Sequence, residues 1–194
     1  MKESNKRVSF DSEKLIVVDK NDNIIGYDSK ANIHEGEGIL HRAFSIFIFN
    51  DQRELLLQKR SKQKLLWPLF WSNSVCSHPR EHENNEIATQ RRLKEELGIV
   101  TPIEYLFSFQ YQANFNNIGS EREHCSVYIG KSNGPFSINN NEIAEWKFIP
   151  LEELNSELDK FPYKYTPWLK IEWDKIQKNY LESINSILPD TLTS

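Results

Sequence analysis

Apolar and polar positions alternate along this chain in short strand-like runs, interleaved with a few segments of helical spacing. Residues 15–18 (Leu-Ile-Val-Val) read as a strand. The polar stretch 19–22 then turns into a second run at 24–27, and together they predict a hairpin. Residues 30–42 carry no period and contain Gly36 and Gly38, so a loop is expected there. Apolar strands are predicted at 44–49 and 54–59 around a polar turn at 50–53, and 67–75 is aromatic and extended but broken by Pro68. Residues 85–97 place Ile87, Ala88, Leu93 and Leu97 at helical spacing, with Gly98 where a helix stop belongs. Strands follow at 103–115, 125–130 and 145–149, and Pro150 opens a short helix. Residues 167–188 read as one longer helix with Trp168, Ile171, Ile176, Tyr180 and Ile184 apolar. With no internal repeat, low-complexity tract or linker, the pattern predicts one α+β domain over residues 1–194, a mixed sheet flanked by helices.

Composition narrows this picture. The 194 residues include 5 Trp, 7 Tyr and 11 Phe, enough aromatic surface for a sizeable core. The net charge of −4 comes from interspersed acids and bases, which gives no electrostatic footprint for nucleic acid or an anionic membrane. Any cations serving an anionic ligand must therefore be gathered locally. No apolar run reaches the ~20 residues that a membrane-spanning helix needs, and residues 1–10 lack the apolar core of a secretory signal. Two cysteines, Cys76 and Cys125, do not make a disulfide framework, so a reduced, cytoplasmic protein is expected.

Candidate chemistry gathers at Asn73-Ser74-Val75-Cys76-Ser77-His78-Pro79 and at Glu121-Arg122-Glu123. Residues two apart on a strand point the same way. Cys76 and His78 should therefore face one cavity, and Glu121, Glu123 and Cys125 should share a face from which Arg122 and His124 turn away. A thiol, an imidazole and two carboxylates on inward faces suggest a metal-supported acid–base site. His34 and His41, with His78, Glu121 and Glu123, complete a mixed nitrogen and oxygen set suited to a divalent ion such as Zn²⁺ or Mn²⁺. His82 and His124 read as surface residues. Taken singly, each element has a plainer reading: a buried cysteine is usually a small hydrophobe, and Glu-x-Glu on a strand is usually a solvated face.

The helix at 85–97 carries Arg91-Arg92-Leu93-Lys94-Glu95-Glu96-Leu97-Gly98, which resembles the second half of a Nudix box, Gly-x5-Glu-x7-Arg-Glu-x-x-Glu-Glu-x-Gly. Glu83 falls at the upstream glutamate, Ser77 stands at the glycine and Arg92 at the glutamate after the first arginine. Nudix hydrolases hold divalent metal on a diphosphate with these helix glutamates, so a cation at 92 points to a repurposed box.

The cysteine motif beside the altered box, with Glu-x-Glu downstream, closely resembles the type 1 isopentenyl-diphosphate isomerase family, a branch of the Nudix superfamily. Further matches are Ala43-Phe44-Ser45, Lys59-Arg60-Ser61, Trp67-Pro68 and Tyr165-Thr166-Pro167-Trp168, and the resemblance runs from about residue 15 to 173. It implies a Nudix fold and reversible conversion of isopentenyl diphosphate to dimethylallyl diphosphate, by adding a proton at one end of an allylic unit and removing one from the other. Cys76 and Glu123 then match the proton-transfer groups, Tyr111 the tyrosine that helps protonation, and Trp168 the ring that faces the carbocation. His34, His41, His78, Glu121 and Glu123 match the ligands of one tightly bound divalent ion (Mn²⁺, Zn²⁺ or Mg²⁺). Lys30, Arg60, Lys64, Ser77 and Arg92 match diphosphate contacts, and Glu96 the carboxylate that helps hold Mg²⁺ on the diphosphate. The implied partner is this small-molecule substrate alone, with no nucleic acid or membrane, acting on a monomer or weak dimer. A Nudix hydrolase of a nucleoside diphosphate derivative is the alternative enzyme, and a metal-binding regulatory module without catalysis the alternative class.

Overall fold

The computed structural model describes residues 6–188; residues 1–5 and 189–194, which the single-domain expectation includes, lie outside the described part. The expected hairpin forms from β1 (Lys14–Val18) and β2 (Ile24–Ser29), antiparallel from Lys14↔Ser29 onward. The segment read as a loop begins with one helical turn, α1 (Lys30–Ile33), started by Ser29, whose hydroxyl accepts from the Asn32 amide at 3.3 Å. Next come β3 (His41–Phe49) and β4 (Glu54–Arg60), with Arg53 left-handed (φ 63°) in the turn between them. These two strands meet at Phe49↔Leu55 and then diverge. Ser74 fills the gap where they part: its Oγ accepts from the Ile48 amide at 2.7 Å and donates to the Leu56 carbonyl at 2.6 Å.

Residues 67–75 are not one extended stretch. Trp67 and Leu69 are left-handed (φ 46° and 64°), and strand geometry is confined to β5 (Trp71–Ser72) and β6 (Val75–Ser77). Between these two short strands Asn73 turns its side chain onto backbone, donating to the Val75 carbonyl at 2.8 Å. Helix α2 (Asn85–Arg92) starts on Asn84, whose side chain accepts from the Ile87 amide at 2.9 Å, and runs into a π-helical turn at Leu93–Leu97. Gly98 ends it at φ 70°, where a Cβ would lie 2.6 Å from Ser137 Cβ. Strand β7 (Ile103–Phe115) is as expected, while β8 (Gly119–Lys131) starts six residues before the predicted run, and β9 (Ile143–Pro150) closes the sheet.

The result is a nine-stranded mixed sheet. Strand β3 lies parallel to β8 from His41↔Glu123 to Phe49↔Lys131 and antiparallel to β6, while β4 pairs with β9 and β5. Because β3 is covered on both faces, it is almost wholly buried. Its alternate residues feed two cores. Phe47 and Phe49 join Val127 and Ile129 of β8 against α3 (Leu151–Lys160), α4 (Pro167–Asn179) and α5 (Leu181–Ile187), while Phe44, Ile46 and Ile48 pack with Ala88, Leu93 and Leu97. The single helix expected at 167–188 is thus two: the backbone at Tyr180 leaves helical geometry (φ −133°), which lets Ile184 and Leu188 turn back onto the first core. Ile87, expected on the apolar face of its helix, is 56% exposed, and that face is carried by Ala88, Leu93 and Leu97.

Candidate active site

The site lies where the α4-facing side of the sheet stops being apolar. Along β8 that face reads Ile129, Val127, Cys125, Glu123, Glu121, so the strand that supplies core at one end supplies carboxylates at the other. In register beside Glu123 are His41 on β3 and Tyr111 on β7. A cavity of about 360 Å³ opens there, and it is lined by Cys76, Tyr111, Glu121, Glu123 and Trp168, by His34 and His78, and by Lys30, Arg60, Lys64, Ser77 and Arg92. The alternation expected for Cys76 and His78, and for Glu121 and Glu123, is therefore realised. His41 sits behind the lining, fully buried.

One ligand atom each from His34, His41, His78 and Glu121 fall within 4.8 Å of one another. The rings of His34 and His41 are oriented by backbone: each Nδ1 is 2.7 Å from a carbonyl, Lys30 for the first and Ile39 for the second. With Nδ1 carrying the proton, each Nε2 lone pair faces the cluster, as in metal-bound histidines. His34 Nε2 is 2.8 Å from Glu121 Oε2, but neither atom, nor His41 Nε2, has a properly aligned hydrogen-bond partner. Buried polar atoms left unpaired around a common point are what a divalent ion would satisfy. This group could hold one. Glu123 stands at its edge, with Oε1 3.0 Å from His78 Nε2 and 3.9 Å from His41 Nε2.

Burial sets the proton affinities. It pushes the His41 imidazole down to about 4, helped by His34, and takes His78 well below the usual histidine range. Burial also works against a charged His34, but the adjoining Glu121 carboxylate outweighs it and raises the imidazole. Glu123 is pushed well above the carboxylate range by burial and by the charge of Glu121. The buried hydroxyl of Tyr111, hydrogen-bonded to Glu123, is likewise raised. Across the cavity, burial lifts the Cys76 thiol to about 11 against the pull of Arg60, whose Nη1 is 3.6 Å from Sγ. Cys76 thus carries its proton at neutral pH.

Arg60 is fixed by carbonyls of the left-handed loop, with Nη2 2.9 Å from Leu66 O and Nε 3.1 Å from Trp67 O. Its Cζ lies 5.1 Å from the centroid of the Trp168 ring, so Arg60 already covers part of the indole assigned by resemblance to a carbocation. At the far end Lys30, Lys64 and Arg92 converge. Burial and mutual proximity bring Lys30 down to about 8. Arg92, 2% exposed, donates to Glu96 Oε1 at 2.6 and 3.0 Å, to Glu142 Oε2 at 2.8 Å and to Glu95 Oε2 at 3.2 Å. Glu83 is taken by Arg91 at 2.7 Å. Glu96 therefore does not reach the cavity: Arg92 engages Oε1 and Gln58 donates to Oε2 at 3.3 Å. Glu142 lines the cavity instead, and it also pairs with Lys64.

Sequence reasoning missed Glu142 and Asn141, which immediately precede β9, and Arg7, Ser9 and Asp11, which precede the resemblance. The leading segment is tied down by a cation of the site and one outside it: Lys30 Nζ donates to Ser9 Oγ at 2.6 Å and Arg80 Nη2 to the Val8 carbonyl at 2.8 Å. No local pattern marks these residues, because lone charges in polar segments have no period. Of the two histidines read as surface, His82 is 83% exposed at its side chain, whereas His124 is half-buried beside Gln110.

Comparison with known proteins places this geometry. The NUDIX domain family model matches residues 39–169. Isopentenyl-diphosphate Delta-isomerase 1 of Photorhabdus laumondii is 39% identical over 174 residues, 89% of this chain and 99% of that protein. The protein of the same name from Mus musculus is 37% identical over 206 residues, covering 95% of this chain and 91% of its own. Among solved structures, DR0079 from Deinococcus radiodurans has a TM-score of 0.68 at 21% identity, over 87% of this chain and 99% of that one. The MutT protein from Methanosarcina mazei has a TM-score of 0.58 at 16% identity, over 72% and 94%. The solved structures carry the fold, and the sequence relatives carry the family: the chain belongs to the isopentenyl-diphosphate Delta-isomerases, built on a NUDIX domain.

Proposed function

We propose that this protein is an enzyme that interconverts isopentenyl diphosphate and dimethylallyl diphosphate, with Cys76 and Glu123 as its proton-transfer groups. The observation that carries the reading is one cavity with the Cys76 thiol and the Glu123 carboxyl on its walls, cations at one end and aromatic rings at the other. An alkene is a very weak base, so protonating it takes a positioned acid in a dry site. Each positioned acid or base contributes ~10²–10⁴-fold, and fixed electrostatics supply the rest.

In this reading Lys30, Lys64, Arg60 and Ser77 hold the diphosphate, joined by Arg92 once it exchanges a carboxylate partner for the phosphate, and the apolar end of the substrate lies between Cys76 and Glu123. One of these two delivers a proton to the terminal carbon, and the other accepts one from the carbon nearer the diphosphate. Tyr111, bonded to Glu123, helps orient its carboxyl. Trp168, with Tyr111 and Trp67 around it, gives the transient cation a ring face, worth ~2 kcal/mol or more when desolvated. His34, His41, His78 and Glu121, with Glu123 beside them, would hold one divalent ion, Mn²⁺, Zn²⁺ or Mg²⁺. When bound, that ion supplies positive charge that favours the ionised form of Glu123. For the Mg²⁺ expected on the diphosphate, Glu96 does not fit as a free ligand, since both its oxygens are engaged.

Arg92 argues against the hydrolase reading. It engages the carboxylates of the Nudix helix in an internal ion pair, where a hydrolase needs them on metal. Among the described residues no helix is long and apolar enough to cross a membrane, and we keep a cytoplasmic monomer or weak dimer as the working state. Incubation with isopentenyl diphosphate and Mg²⁺ tests the reading. An acid-labile allylic product with no inorganic phosphate is the expected result, and phosphate release in its place would favour hydrolysis.

A further inference from the structure

Ser72 stands one residue before the Asn73–Pro79 motif and does not line the cavity. It is fully buried in β5, as are its neighbours Asn73 and Thr166. Its hydroxyl accepts from the Trp168 indole N–H at 3.0 Å and donates to Asn73 Oδ1 at 2.9 Å. It also lies 3.2 Å from Thr166 Oγ1 and 3.7 Å from Cys76 Sγ. Asn73 is held the right way round for this, because its Nδ2 donates to the Val75 and Ile46 carbonyls at 2.8 and 3.3 Å. Its carbonyl end must then face Ser72 and the indole, whose Nε1 it also meets at 3.2 Å.

We propose that Ser72 is a positioning residue that ties the Cys76 thiol to the Trp168 ring. This rests on the isomerase reading, in which the thiol and the ring act on the same carbon skeleton. A hydroxyl has one proton to give and two lone pairs. One lone pair takes the indole N–H, and the other is shared between the Thr166 hydroxyl and the thiol S–H. With the thiol proton delivered, the hydroxyl can rotate and donate to sulfur while keeping its own proton. The tie therefore holds on both sides of the proton transfer, and no net charge passes through Ser72. Without it, among the described residues, Sγ keeps Arg60 at 3.6 Å and the indole keeps the longer bond to Asn73. Alanine cannot make the tie, whereas threonine can.

The test compares Ser72→Ala and Ser72→Thr with wild type in kcat, KM, melting temperature and metal content. Misplacement of a reacting group by an ångström can cost about 10²-fold. Ser72→Ala is accordingly expected to lose roughly 10- to 100-fold in kcat with KM within about twofold, because the diphosphate contacts are untouched. Ser72→Thr should recover most of that loss. A kcat within twofold of wild type in Ser72→Ala, or a loss that threonine does not restore, would overturn the proposal. If Ser72→Ala does not fold, Ser72→Cys decides instead. Its weakly bonding thiol should turn over more slowly than Ser72→Thr, and an equal or faster rate sinks the idea. Wild type and Cys76→Ala are measured first. No turnover in wild type, or normal turnover in Cys76→Ala, would sink the isomerase reading itself; normal controls with an active Ser72→Ala sink only the role of Ser72.

Discussion

A guanidinium at position 92 changes what its neighbours can do. Glu95 and Glu96 are where the Nudix box keeps its metal-binding carboxylates, yet here both bond to Arg92, and Glu142 joins from across the cleft. Truncating one member of a buried, hydrogen-bonded charge cluster costs ~3–5 kcal/mol, because the others are left unpaired. Arg92→Glu adds a further carboxylate to that cluster, so its melting temperature should drop sharply. Arg92→Gln adds no charge, but it too leaves those carboxylates unpaired, so its binding is measured below its own lowered melting temperature. It is expected to raise KM about tenfold, on the scale of ~1.5–3 kcal/mol for a hydrogen bond to a charged group, and to create no diphosphate hydrolysis. Nucleoside diphosphate cleavage by wild type or by this variant would mean that the helix carboxylates still serve a hydrolase. The thiol makes a complementary case. Cys76→Ala should lose nearly all turnover with unchanged melting and metal content. Cys125→Ser, buried against Ser45 and Glu172, should keep its activity at a modest stability cost; the reverse pattern would exchange their roles.

At the scale of elements, the site depends on register. Parallel pairing of β3 with β8 sets His41 beside Glu123, and the two-residue period carries Glu121 onto the same face toward His34 and His78. Glu121→Gln, His34→Ala and His78→Ala are therefore expected to lower bound metal and activity together, without rescue by excess Mg²⁺. A full equivalent of metal by elemental analysis in all of them would remove the shared coordination group. Much of this arrangement was legible in the sequence. Strand alternation placed Cys76 with His78 and Glu121 with Glu123, and Gly98 ended the helix where expected. The pairing of strands was not legible: 44–49 and 54–59 look like a hairpin, but they part after Phe49↔Leu55, and the edges that would face each other pair instead with β6 and β5. Nor did periodicity reveal the break at Tyr180, since Ile176 and Ile184 are spaced to suit either one helix or two. Glu96 matched a motif by position, but its environment depends on Arg92 and Gln58, and contacts of that kind carry no local signal.

For the molecule as a whole, the same burial that tunes the site limits the pH range in which the fold is stable. In the metal-free protein, folded His41 titrates near 4 against an ordinary 6.5. Between those values the unfolded chain binds a proton that the folded protein refuses, so stability falls as pH falls through that window. Metal binding needs neutral imidazoles and is weakened on the same side. Glu172 acts on the other side. It is fully buried on α4, its Oε1 takes the Cys125 thiol at 3.5 Å, and Oε2 has no partner among the described residues. Burial raises this carboxyl to about 8 from an ordinary 4.5. Between these values the folded protein holds a proton that the unfolded chain has released, so stability falls as pH rises from 4.5 to 8. Glutamine has nearly the same shape, leaves the same position without an acceptor and does not titrate. Glu172→Gln should therefore match wild type near pH 5 and gain on it as pH rises. The gain should reach on the order of a few kcal/mol at about pH 8, since each tenfold change in proton affinity on folding corresponds to about 1.4 kcal/mol. Denaturant midpoints at about pH 5, 6.5 and 8, taken on metal-free protein, measure the gain. A difference between the two proteins that does not change with pH would mean that Glu172 is already ionised in the fold, with water or a cation meeting Oε2.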